Sequence, residues 1–76
     1  GVPELEEEVT IRPTVVERQF YVDSPYPFVL TVFDATGREV LRSSTAMQDA
    51  SQWPLGTYHL IVVSDNRMFK QTIVKL

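Results

Sequence analysis

Three observations predict an all-β fold, an immunoglobulin-like β-sandwich of about seven antiparallel strands in two sheets. The 76 residues divide into short stretches of period-two alternation, set apart by Pro, Gly, Asn and Asp at close, regular spacing. No apolar period of 3.6 is sustained over ten residues. The stretch from Phe28 to Leu41 reads as two strands joined by one tight turn, the hairpin around which the chain is organised. Sheets this small hide their apolar sides only by packing face to face.

The elements follow in chain order. Residues 1–8 read as an acidic linker ahead of a domain spanning 9–76. Glu8-Val9-Thr10-Ile11-Arg12 alternates as a first strand, and Pro13, which cannot donate to a ladder, ends it. Val15 to Arg18 reads as a bridge to Gln19-Phe20-Tyr21-Val22-Asp23, where Phe20 and Val22 share a face. Ser24-Pro25-Tyr26-Pro27 is a turn whose prolines hold the chain extended before the hairpin. In the first hairpin strand Leu30 and Val32 face one way, Thr31 and Phe33 the other. Asp34 suits the start of a type I turn and Gly37 the left-handed position after it. Strict alternation in the return strand, Arg38 to Ser44, puts Val40 on one face and Glu39 and Leu41 on the other. Ser43-Ser44-Thr45 leads into Ala46 to Ala50, a short strand rather than a single helical turn.

Trp53-Pro54-Leu55-Gly56-Thr57-Tyr58 is a corner into the longest strand. Tyr58, Leu60 and Val62 line one of its faces; His59, Ile61 and Val63 line the other. With both faces mostly apolar, this strand is expected at the centre of its sheet. Ser64 to Arg67 is a turn in which Asn66 tolerates positive φ, and Met68 to Lys75 is the last strand.

Composition excludes several function classes. The net charge is −3, and Glu4, Glu6, Glu7 and Glu8 supply four of the ten acids. A nucleic acid or anionic membrane needs clustered Lys and Arg, so neither is expected as a partner, and no direct membrane insertion is expected. With no cysteine there is no disulfide scaffold and no thiolate metal site. No apolar run reaches the ~20 residues of a membrane span and no signal peptide is present. For an exported form the leader is expected either to have been removed or to lie on a larger precursor.

Catalytic chemistry is not expected. The one histidine, His59, needs a nucleophile and an orienting acid for a triad; the alternative is an ordinary sheet residue. Asp23, Asp34, Asp49 and Asp65 fall at strand ends or turns. Calcium takes six to eight oxygens, whereas turn aspartates commonly accept local backbone N–H groups. Tyr26 and Trp53 suit either sugar stacking or, for Trp53, a place in the core. No phosphate-binding loop or zinc signature is present. No metal or cofactor is expected, and the domain is read as a non-enzyme.

Three blocks carry a resemblance. They are Leu30 to Val40, with Asp34, Gly37 and Arg38; Leu55-Gly56-Thr57-Tyr58-His59-Leu60; and Lys70-Gln71-Thr72-Ile73-Val74-Lys75. In this order and spacing the chain resembles the type A C-terminal sorting domain of the type IX secretion system of Bacteroidetes-type bacteria. Arg12-Pro13-Thr14 stands where that family usually has a P-N-P-like motif. The resemblance implies a signal domain that directs cargo from the periplasm through the outer-membrane translocon to the cell surface. There, in most members of the family, a sortase-like peptidase cuts the linker and the cargo is attached to the surface or secreted, while some members keep the domain as part of the surface machinery. It further implies the translocon and that peptidase as partners.

Asp34, Gly37, Arg38, Leu55, Gly56 and Tyr58 then have structural roles, with Tyr58 resembling a tyrosine corner. The terminal strand is the candidate docking element, through Lys70, Ile73, Val74 and Lys75, because an edge strand accepts an added strand. The alternative is that this strand is sheet interior and its lysines only solubilise. Exposed edges also raise the expectation of a homodimer. Competing readings are a generic immunoglobulin- or fibronectin-like spacer or adhesion module, and a small carbohydrate-binding domain.

Overall fold

The computed structural model describes residues 9–76; the acidic linker lies outside the described residues. Eight strands form: β1 (Thr10–Arg12), β2 (Val15–Val16), β3 (Gln19–Asp23), β4 (Val29–Phe33), β5 (Glu39–Ser43), β6 (Met47–Asp49), β7 (Gly56–Ser64) and β8 (Arg67–Lys75). Among the described residues there is no helix. The strands make a three-stranded sheet, β1-β3-β6, and a five-stranded sheet, β2-β8-β7-β4-β5. One core holds the two together. Ile11, Phe20 and Val22 come from the small sheet, and Leu30, Val32, Tyr58, Leu60, Val62 and Ile73 from the large one. Where the sheets meet beside β5, buried Gln48 of β6 donates from Nε2 to Ser43 Oγ at 3.2 Å and to the Thr45 carbonyl.

Two local features correct the sequence reading. The expected bridge Val15 to Arg18 contains β2, which pairs in parallel with β8 through Val15↔Val74 and Val16↔Lys75. Among the described residues there are therefore eight strands, and one pairing is parallel. The Val74 N–H donates to the Thr14 carbonyl at 2.9 Å and the Leu76 N–H to the Val16 carbonyl at 2.8 Å, while the Val16 side chain is fully buried. Two residues are too few for a period to show in sequence. In β5 the register shifts, with Val32↔Leu41 but Phe33↔Glu39. A bulge therefore breaks strict alternation, sending Leu41 toward the core and leaving Glu39 and Val40 exposed.

The turn Asp65-Asn66 has φ of 53° and 64°, so both central residues are left-handed, the two-residue closure that matches strand twist. It sets a register between β7 and β8 that runs unbroken from Ser64↔Arg67 to Gly56↔Lys75. As expected, β7 is central, between β8 and β4. Its two apolar faces differ in fate. Tyr58, Leu60 and Val62 are buried, whereas His59 and Val63 are exposed and Ile61 is half-buried.

Candidate functional site

The hairpin turn is built around one carboxylate. Asp34 Oδ1 accepts the Thr36 N–H at 3.0 Å, the Thr36 hydroxyl at 2.6 Å and the Arg38 N–H at 3.0 Å. The Gly37 N–H donates to the Asp34 carbonyl at 2.9 Å, and the Asp34 N–H to the Arg38 carbonyl at 2.9 Å. These donors, the Thr36 hydroxyl first and then the Arg38 amide, hold the Asp34 carboxyl below the usual carboxylate range. The Arg38 guanidinium lies 3.6 Å away with its side chain 82% exposed, so that pair adds little.

A depressed folded-state pKa gives stability that is present above the unfolded value, near 3.8, and fades as pH falls through the folded value. Asp34→Ala should therefore lower the melting temperature at neutral pH, with the gap to the parent closing in acid. A gap independent of pH would reject the carboxylate as its source.

Gly37, at φ +91°, and Gly56, at φ +140°, adopt backbone that suits glycine; no atom stands within 4 Å of where a Cβ would sit. The demand is thus one of backbone conformation, not crowding. Beyond Gly56, the buried Tyr58 turns its hydroxyl back to donate to the Pro54 carbonyl at 2.7 Å. Tyr58→Phe removes that bond alone and should cost about 0.5–1.5 kcal/mol, read by urea unfolding. An unchanged midpoint would mean that the hydroxyl does not fasten the corner. Trp53 sits beside it, 5.0 Å from the Tyr58 ring and 5.7 Å, edge-on, from Phe20.

These two motif blocks, remote in sequence, meet in space. Asp34, Thr36, Arg38 and Val40 on one side and Leu55, Gly56 and Tyr58 on the other line a recess of about 320 Å³. Its rim is apolar and exposed: Leu55 is 76% accessible and Val40 42%. The Arg38 guanidinium stands beside this rim, and within the recess the Thr36 hydroxyl is held by the Asp34 carboxylate.

The third block lies on β8, whose residues divide by face. Ile73 is fully buried and Lys75 is 6% exposed, its Nζ donating to the Leu76 oxygen at 2.8 Å. Lys70 and Val74 are exposed on the opposite face. The outer face of β8 is thus Met68, Lys70, Thr72 and Val74, and Ile73 faces the core. Met68 and Thr72 were not among the sequence candidates. Knowing which residues of β8 face out requires the register with β7.

The remaining candidates have structural places. His59 is exposed on the outer face, with Nδ1 3.4 Å from the Thr72 hydroxyl. Asp49 accepts the Ser51 N–H at 3.0 Å, which holds its carboxyl below the usual range. Among the described residues no three of His, Cys, Asp and Glu gather as a metal-binding group. Tyr26 lies by the Ser24–Ser64 end of the large sheet and Trp53 by the Gly56 end, so one sugar does not span both. No protein-family model matches the sequence, and no curated protein matches it.

Proposed function

We propose that this domain is a type IX sorting signal, a folded address label that carries its cargo through the outer-membrane translocon to the cell surface. One observation carries the reading: the hairpin block and the Leu55 to Tyr58 block form the two walls of one recess. Separate stretches that assemble one exposed surface are what a machine reading a folded signal needs. The third block, on β8, lies in the same sheet across β7 from the recess, with β2 covering Val74 and Lys75 and the edge open only from Arg67 to Thr72. In this reading the domain binds translocon subunits, a sortase-like peptidase cuts ahead of it, and it performs no chemistry itself.

The test is delivery of a reporter. Residues 1–76 fused behind a periplasmic reporter should bring it to the surface only in cells with the translocon. Leu55→Asp with Arg38→Glu, both at exposed positions, should abolish delivery while leaving the circular dichroism spectrum unchanged. Delivery without the translocon, or undiminished delivery by the double variant, would reject the reading.

The immunoglobulin-like spacer is the second reading. The Tyr58 hydroxyl bound to the Pro54 carbonyl favours it, because such a corner is a hallmark of that sandwich. A precursor that continues past Leu76 into another folded unit would support the spacer over the signal.

A further inference from the structure

The four outer strands, β1, β6, β2 and β5, are poor templates for pairing, and β2 has only two residues. β1 and β6 have three residues each, and β5 carries a bulge and the Arg42–Glu39 ion pair at 3.0 Å. β8 is different. It has nine residues in unbroken register with β7, and on its other side β2 covers only Val74 and Lys75. The phase of its backbone follows from one bond, the Val74 N–H to the Thr14 carbonyl. In an antiparallel strand, alternate residues turn both polar groups the same way, so Met68, Lys70 and Thr72 aim theirs away from β7. Gln71 Nε2 donates to the Thr72 carbonyl at 3.0 Å. No strand of the described residues pairs with Arg67 to Thr72 on that side.

The side chains above this edge state the chemistry of what fits. Val29, Val63 and Met68 are direct cross-strand neighbours on the outer face and are 43%, 44% and 61% exposed. A strand added at β8 would prolong that apolar row at the position facing Met68. Two residues along β8, Lys70 stands exposed, and among the described residues it has no ion-pair partner. A carboxylate facing it would be satisfied there. A second copy fits worse, because two-fold pairing centred on the free stretch sets Lys70 against its own copy.

Resting on the reading of β8 as the docking strand, we propose that its open edge receives an extended strand of a partner protein. That strand has an apolar residue facing Met68 and, two positions away, a carboxylate facing Lys70. The backbone groups of Met68 and Lys70 supply the added ladder, and the Lys70 ammonium selects the charge.

The test is amide exchange on the 76-residue chain with a blocked peptide, Val-Thr-Glu-Thr-Val, which reads the same in either strand direction. The peptide should slow exchange of the Met68, Lys70 and Thr72 amides by at least about threefold, and salt should weaken the effect. Replacing its Glu with Lys should remove the protection, and Lys70→Glu in the protein should reverse the preference. A peptide N-methylated on its pairing edge should not protect. Equal protection by both peptides, protection by the N-methylated peptide, or none at all would overturn the proposal. So would protection of the same amides by self-association without peptide. Peptide binding is read apart from export: a chain that selects the acidic peptide yet delivers no reporter defeats the sorting reading alone.

Discussion

Phe20→Ala should remove a large share of the domain's stability, about 3–5 kcal/mol. A chain of this length has roughly 4–11 kcal/mol of stability in total. Truncating a fully buried phenylalanine typically removes about 3–5 kcal/mol, part of it lost transfer energy and part the cavity left behind. Phe20 is fully buried on β3 and is the bulkiest side chain that the three-stranded sheet contributes to the core. Its other inward apolar residues, Ile11 and Val22, are smaller, and Trp53 leans edge-on against its ring. The small sheet has few other means of holding the large one, so collapse into the gap would have to move whole strands. The measurement is urea unfolding followed by far-ultraviolet circular dichroism together with Trp53 fluorescence. A midpoint close to the parent's would mean that the two sheets are held by something other than this core.

The second large effect separates adjacent residues of β8. Ile73→Ala should cost about 2–5 kcal/mol, because Ile73 is fully buried opposite Tyr58. Val74→Ala should cost less than about 1 kcal/mol, because Val74 is 39% exposed on the outer face. Similar losses at both positions would contradict the register that places them on opposite sides of the sheet. The contrast also governs how functional losses are interpreted. A failure of export on changing Ile73 or Lys75 would reflect damage to the fold, whereas a failure on changing Lys70 or Thr72 would reflect the edge itself.

Local residues made much of this legible in advance. The hairpin was readable because Asp34 and Gly37 stand at the positions a tight turn requires, and the structure engages both in its closure. Alternation in Leu30 to Phe33 and Tyr58 to Val63 placed the inward side chains, since each strand directs successive residues to opposite faces. The Tyr58 corner was readable from its position after Gly56. The strand Val15–Val16 was not, because two residues carry no period and its partners, Val74 and Lys75, lie at the far end of the chain. The Glu39–Val40 bulge was hidden for a similar reason: one extra residue is visible only against the strand that it opposes.

By itself, then, the sequence determined an all-β chain, its turns, and most of the residues that turn inward, because these depend on backbone preference and on the period of neighbouring residues. Tertiary structure alone decided three other things: that Asp34 and Leu55 share one recess, that Ile73 and Lys75 are buried, and that β8 keeps an unpaired edge. Each depends on which strands lie side by side, and pairing is set by contacts between residues far apart in the chain.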